Sequence, residues 1–148
     1  MLTLCLGMGA CSNGTGKATA HQEPTRSDVV EVLYFHGARR CATCMAIEKN
    51  TKELVESAFA NIREVIESVY AEELKSGRLL FRSVDISEER AVAEKYEVSW
   101  SSLIIVDYDK SGKERATDLT EFAFGHARKA PEEFKAGLSE RIIERLNN

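Results

Sequence analysis

Three segments of the chain are rich in aliphatic, β-branched and aromatic residues and carry the pattern of buried strands. They cover residues 29–35, 79–86 and 103–107, and polar or glycine-containing stretches bound them. Short apolar runs with such boundaries are typical of strands inside a sheet. The polar stretch at 109–113 then predicts a hairpin turn into a weaker edge strand at 115–119.

Apolar residues at helical spacing lie between and after these strands. The sequence predicts helices from Cys41 onward, over 61–77, over 87–96 and from Pro131 to near the end of the chain. Proline is favoured in a first helical turn, which supports the start at Pro131. The first helix has a buried face of Cys44, Ile47, Thr51, Leu54, Val55 and Ala58, and the last has a buried stripe of Phe134, Leu138, Ile142, Ile143 and Leu146.

The order of these elements predicts the fold class. Strands that are separated by helices are expected to pair in parallel through crossovers, and the late hairpin is expected to add an antiparallel edge. We therefore predict an α/β fold over residues 28–148, with a mixed sheet of about four strands sandwiched between helices. Active sites in such sheets lie beyond the carboxyl ends of the parallel strands, and Cys41 and Cys44 follow the first strand at that place.

Composition narrows the class of protein. The 148 residues are 43% hydrophobic and 30% charged, which is typical of one globular domain with a tail. The net charge is −4 and no run of Lys or Arg occurs, so we expect no nucleic-acid partner. No stretch reaches the roughly 18 apolar residues of a membrane-spanning helix. We expect a monomer that binds no metal or other cofactor.

The first residues resemble the signal segment of bacterial lipoproteins. Residues 1–10 are uncharged, and the run Leu-Gly-Met-Gly-Ala at 6–10 leads directly into Cys11. This resemblance implies removal of residues 1–10, acylation of Cys11, a flexible polar tether over 11–27, and a periplasmic, membrane-anchored protein. The hydrophobic run is short and no Lys or Arg precedes it. The alternative interpretation is a disordered N-terminus of a cytoplasmic protein.

Cys41 and Cys44 form a Cys-x-x-Cys motif at the start of a predicted helix. A cysteine in the first turn faces unpaired backbone N–H groups and the positive end of the helix dipole, which stabilise a thiolate. Arg39 and Arg40 precede Cys41 and are expected to lower its pKa further. Cys44 lies on the apolar face. We therefore predict that Cys41 attacks disulfides of protein partners and that Cys44 resolves the mixed disulfide.

A metal site is the competing interpretation of the same cysteines. A structural zinc site with one Cys-x-x-Cys needs a second such pair or two histidines. His36 and His126 are the available candidates in the folded part, and no second Cys-x-x-Cys occurs. We expect His36 to be packed or to cap the strand end, and His126 to lie in a surface loop. A redox-inert or metal-binding subunit stays open as an alternative.

Two runs of residues resemble the thioredoxin superfamily. One contains Tyr34 and Phe35 ahead of Cys41-Ala42-Thr43-Cys44, and the other joins Val-Asp-Ile-Ser-Glu at 84–88 to Glu-Lys-Tyr-Glu-Val at 94–98. The resemblance covers about residues 28–147 and implies a thioredoxin-like fold with disulfide-exchange activity.

Three departures from the thioredoxin pattern surround the motif. Tyr34 stands where thioredoxins have a buried Asp, and Ser101 stands where they have a cis-proline facing the dithiol. The segment between the first strand and Cys41 is longer by one residue. Trp100, beside Ser101, is expected either to contact substrate or to pack within its loop. Ala42 and Thr43 carry no charge, so they leave the direction of electron transfer open.

A narrower similarity concerns the same motif. The run Tyr-Phe-His-Gly at 34–37, followed by Arg-Cys-Ala-Thr-Cys at 40–44, is similar to the ArsF-like group of Bacteroidetes proteins. That group is described as a nitrophenyl-compound nitroreductase subunit. The similarity implies an electron-delivering subunit in a nitroreductase system.

Overall fold

The computed structural model describes residues 28–60 and 78–148. The predictions made for the signal segment, the tether with Cys11, and the helix at 61–77 lie outside the described residues. None of the helices within the described ranges is long and apolar enough to cross a membrane.

Four strands and four helices lie within the described ranges. The predicted strands and the predicted first, third and last helices are present, with ends displaced by a few residues. The elements are β1 (Val30–His36), α1 (Ala42–Ala60), β2 (Leu79–Asp85), α2 (Arg90–Lys95), β3 (Ser102–Tyr108), β4 (Glu114–Asp118), α3 (Thr120–His126) and α4 (Pro131–Leu146).

The strands form one mixed sheet in the order β2-β1-β3-β4. β1 pairs in parallel with β2 and antiparallel with β3, and β3 pairs antiparallel with β4. This arrangement confirms the predicted α/β class and the predicted mixed sheet of about four strands. Strands alternate their side chains between two faces, so both faces of this sheet need cover. α1, α3 and α4 contribute to the core on one face, and α2 contributes to the core on the other.

The expected parallel pairing of helix-separated strands is wrong for β3. β2 ends at Asp85, beside His36, and β3 starts at Ser102, beside Phe35. The connection that contains α2 therefore begins and ends at the same end of the strands, beside the carboxyl end of β1, and the chain does not return to the opposite end before β3 starts. A strand that starts where its predecessor stopped must run in the opposite direction, which is why β3 is antiparallel.

One helix was absent from the sequence prediction. α3 follows β4 directly, so the expectation that His126 lies in a surface loop is wrong. The ring of His126 packs on Phe122 with centroids 4.8 Å apart, and its Nδ1 lies 2.9 Å from the Phe122 carbonyl. Asp118 accepts a hydrogen bond from the Thr120 amide two residues on, as in an Asx turn, and Glu121 lies in the first turn of the helix. These two acidic residues were the available sequence signal.

A buried carboxylate joins three elements at the end of the sheet far from Cys41. Asp107 of β3 is only 3% exposed and forms ion pairs with Arg115 of β4 and Arg145 of α4. Arg145 also donates to the Arg141 carbonyl and to Thr117. Because Asp107 is removed from water, its two cationic partners are needed to compensate its charge.

Candidate active site

Cys41 is the N-cap residue of α1. β1 ends at His36, a short turn follows, and the helix begins at Ala42. The Cys41 carbonyl accepts the amide of Met45, and the Cys41 Sγ accepts the amide of Cys44 at 3.0 Å. The first amides of a helix have no partner inside the helix, and an N-cap side chain normally satisfies one of them. Here a sulfur atom does so, which directs an N–H dipole at Cys41.

Cys41 and Cys44 are joined by a disulfide, and their Cα atoms lie 5.0 Å apart. Cys41 is exposed, whereas Cys44 is 6% exposed and packs in the first turn of α1. The difference in exposure that the helix geometry predicted is therefore present. The assignment of Cys41 as attacking residue and Cys44 as resolving residue stays a prediction.

Tyr34 lies beneath the disulfide at the position that the resemblance assigns to a buried Asp. Its side chain is buried, and its hydroxyl donates a 2.9 Å hydrogen bond to the carbonyl of Cys44. Burial raises the pKa of Tyr34 above its usual value of 10.0. The phenol is therefore neutral at physiological pH and cannot replace a carboxylate as proton acceptor. Its hydrogen bond instead holds the first turn of α1 on β1.

The loop before β3 reaches the site through Ser101. The Ser101 side chain lies close enough to the Tyr34 hydroxyl to lower the pKa of Tyr34, against the larger effect of burial. No peptide bond within 28–60 or 78–148 is cis, so Ser101 follows a trans bond. The structure thus connects Ser101 to Cys44 through Tyr34. Direct contact between Ser101 and Cys41 stays a prediction.

Trp100 is a large apolar side chain on the surface of this loop. It is 60% exposed, and its ring centroid lies 5.4 Å from that of Phe124 in α3. The indole therefore packs on one neighbour and leaves most of its surface open to solvent. Both sequence interpretations, packing in the loop and contact with a substrate, are compatible with this placement.

The two arginines that precede Cys41 have different surroundings. Arg39 is exposed. Arg40 forms an ion pair with Glu48 of α1, and its Nη2 lies 2.8 Å from Nε2 of His36. Glu48 also accepts a 2.7 Å hydrogen bond from Ser83 of β2. The positive charge of Arg40 is therefore partly compensated. The sequence did not indicate this, because its partners Glu48 and His36 come from two separate elements, α1 and β1.

The histidines considered as metal ligands have other contacts. His36 is 7% exposed, and its Nδ1 lies 3.3 Å from the Gly37 carbonyl and 3.9 Å from the Asp85 carboxylate. His126 packs on Phe122 in α3. Among the described residues, no three His, Cys, Asp or Glu side chains are grouped as a metal site would require. Two sulfur atoms joined to each other do not act as thiolate ligands.

Comparisons with known proteins gave similarities to solved structures only. No family model and no curated protein matches the chain. A malarial protein is 18% identical with a TM-score of 0.38, over 65% of this chain and 92% of that one. The Trx4 domain of ERdj5 is 13% identical with a TM-score of 0.46, and the match covers 79% of this chain and 82% of that domain. A thioredoxin from Thermus thermophilus is 14% identical with a TM-score of 0.42, and the match covers 79% of this chain and 76% of that thioredoxin.

Proposed function

We propose that this chain is a thiol–disulfide oxidoreductase in which Cys41 is the attacking cysteine and Cys44 is the resolving cysteine. The observation that carries the proposal is the position of the pair. An exposed sulfur caps a helix and accepts the Cys44 amide, and it is bonded to a buried sulfur one turn further on. A reactive cysteine needs access and a stabilised thiolate, and a resolving cysteine needs proximity without access.

The exchange begins from the reduced dithiol. The Cys41 thiolate attacks one sulfur of a substrate disulfide, which forms a mixed disulfide and releases the other substrate sulfur as a thiolate. Cys44 then loses its proton to water and attacks Cys41 Sγ as a thiolate. This forms the Cys41–Cys44 disulfide, breaks the mixed disulfide and releases the second substrate sulfur as a thiolate. Two electrons pass from the dithiol to the substrate, and the same steps in reverse oxidise a substrate dithiol.

Proteins are the partner class that the surface favours. An open groove lies between the turn after β1 and the loop before β3. Its lining is more apolar than polar in exposed area, and it consists of Gly37, Ile86, Ser87, Arg90, Ala93, Glu94, Val98, Ser99 and Trp100. A peptide segment that flanks a disulfide can lie in such a groove while its sulfur reaches Cys41. The large exposed area of Trp100 supports the same class, because aromatic residues are enriched where proteins bind one another.

The motif similarity supports a narrower proposal about the electron acceptor. If the ArsF-like similarity holds for function, the dithiol delivers electrons to a nitroreductase subunit. Purified reduced protein would then support nitro-group reduction by such a partner, and the Cys41→Ala variant would not.

The N-terminal sequence supports a proposal about location. A lipid on Cys11 would anchor the domain to a membrane on the periplasmic side, where disulfide exchange between proteins is common. Fractionation of cells that express the full chain, with Cys11→Ser as the comparison, tests this proposal by the amount of protein in the detergent-soluble membrane fraction.

The disulfide equilibrium tests the proposed function. Equilibration in glutathione buffers, followed by thiol trapping and mass measurement, gives the reduction potential of the Cys41–Cys44 pair. We expect a reversible two-electron transition between about −120 and −270 mV, the range of known dithiol oxidoreductases. A potential below about −300 mV would identify a structural disulfide and overturn the proposal. Cys44→Ser is the control and should lack the transition.

A further inference from the structure

An ion pair lies beside the first turn of α1, next to the cysteines. Arg40 immediately precedes Cys41, and Glu48 follows Cys44 by four residues. Side chains four residues apart are neighbours on one face of a helix, and helical side chains lean toward the N-terminus. The carboxylate of Glu48 therefore lies over the turn that contains Cys44, where it meets the guanidinium of Arg40.

Both charges of this pair are held by further contacts. Glu48 accepts the Ser83 hydroxyl at 2.7 Å, which ties it to β2. Arg40 reaches Nε2 of His36 at 2.8 Å, which ties it to the end of β1. The side chains of Arg40 and Glu48 are 35% and 22% exposed. Charges that are partly removed from water act on their neighbours more strongly than fully solvated ones.

The two charges of the ion pair affect the buried Tyr34 in opposite directions. Glu48 raises the pKa of Tyr34 and Arg40 lowers it, in both cases through their charges. The Tyr34 hydroxyl is the group bonded to the Cys44 carbonyl. The electric fields of Arg40 and Glu48 therefore both reach Tyr34, beneath the cysteines, and partly cancel there.

We propose that the Arg40–Glu48 ion pair sets the reactivity of Cys41. Glu48 is a positioning residue in this pair: it holds Arg40 in place and partly neutralises its charge. This inference rests on the proposed function and adds to it. Loss of the Glu48 charge leaves Arg40 uncompensated beside Cys41 and stabilises the thiolate. Loss of the Arg40 charge leaves a carboxylate uncompensated over the same turn and destabilises the thiolate.

Two nearly isosteric variants are therefore expected to shift the acidity of Cys41 in opposite directions. Glu48→Gln should increase the apparent ionisation constant of Cys41 by about threefold or more, and Arg40→Gln should decrease it by a similar factor. The constant is read from the pH dependence of the alkylation rate of reduced protein. A more stable thiolate stabilises the reduced form, so Glu48→Gln should also make the pair more oxidising in glutathione buffers.

Three further variants make the comparison specific. Arg40→Lys keeps the positive charge and should restore most of the wild-type ionisation constant. The double variant Arg40→Gln/Glu48→Gln should return toward the wild-type value, because both charges are gone. Glu53→Gln removes a carboxylate of α1 that pairs with Lys135, away from the cysteines, and should change nothing. Each variant is checked for folding by its thermal unfolding curve.

The surrounding ionisable groups are common to all variants. His36 and Tyr34 of β1 and Asp85 of β2 face the pair or its partners, and Arg39 lies in the preceding turn. Tyr34, Asp85 and Arg39 are unchanged in every variant. His36 contacts Arg40 directly, so Arg40→Gln also changes the surroundings of His36, and Arg40→Lys, which keeps the positive charge there, is the comparison for that effect.

Shifts of the same sign in the two single variants, or no shift in either, would overturn this inference. A structural role for the pair predicts the same sign, because both substitutions break the same contact. The proposed function fails independently, if the wild-type pair shows no reversible equilibrium with glutathione. The alkylation profile needs only the Cys41 thiol, so the two failures are distinguishable.

Discussion

Cells that express the Cys44→Ala variant are expected to accumulate this protein in mixed disulfides with its partners, whereas Cys41→Ala should capture almost nothing. Without Cys44 the attacking thiolate still forms the mixed disulfide, but no second thiol is present to release it. Without Cys41 the remaining thiol is 6% exposed and cannot reach a partner. We expect at least about a tenfold difference in captured protein, because exchange depends on access of the thiolate.

Non-reducing gels, with mass spectrometry of the captured proteins, measure this difference. The Cys41→Ala/Cys44→Ala double variant is the matched control, because it retains Cys5 and Cys11 and reports any capture through them. Equal capture by the two single variants would show that the roles are misassigned. Capture by the double variant at the level of Cys44→Ala would show that the N-terminal cysteines form the adducts.

Asp107→Asn is expected to lower the free energy of unfolding by about 2–3 kcal/mol. Removing one partner of a buried ion pair leaves the other charge without compensation, which is more costly than losing an exposed pair. Arg145 is the partner affected most, since its side chain is 15% exposed, against 46% for Arg115. The hydrogen bonds of Arg145 to Arg141 and Thr117 remain and limit the loss.

Urea unfolding of the wild type and of Asp107→Asn measures the change. At an unchanged slope of unfolding free energy against urea, a lower midpoint concentration of urea gives the loss of stability. Arg82→Gln is the control: it breaks the more exposed ion pair with Glu89 and should cost no more than about 1 kcal/mol. The redox equilibrium of Asp107→Asn should equal that of the wild type, because Asp107 lies at the far end of the sheet. If Asp107→Asn lowers the free energy of unfolding as little as Arg82→Gln does, Asp107 is not a buried charge whose ion pairs stabilise the packing of β3, β4 and α4.

Local patterns in the sequence predict most of this fold. The apolar runs of β1 and β3 and the buried stripe of α4 come from periodicity alone. The structure confirms them except at Ile143, which is only partly buried. α3 has only seven residues, and its aromatic side chains do not form a long periodic face. The direction of β3 depends on where the connection through α2 ends, and no local pattern specifies that.

Local patterns in the sequence also predict part of the candidate site. The spacing of Cys41 and Cys44 and the helix that follows give the difference in exposure. Tyr34 was placed beneath the site by the resemblance, but its hydrogen bond to Cys44 depends on how α1 packs on β1. The contacts of Glu48 join α1 to Arg40 in the turn after β1 and to Ser83 of β2, so they exist only after these elements have packed together.

The order in which the two reduced cysteines react is the most direct test of the proposed chemistry. Reduced wild-type protein is treated with limiting iodoacetamide over a range of pH, and the labelled peptides are counted by mass spectrometry. We predict that Cys41 is alkylated first at neutral pH, with an apparent pKa below the free value of about 8.5, because the Cys44 amide and the helix N-terminus stabilise its thiolate. Alkylation of Cys44 first, or a Cys41 pKa at or above the free value, would contradict the proposal that Cys41 is the attacking cysteine.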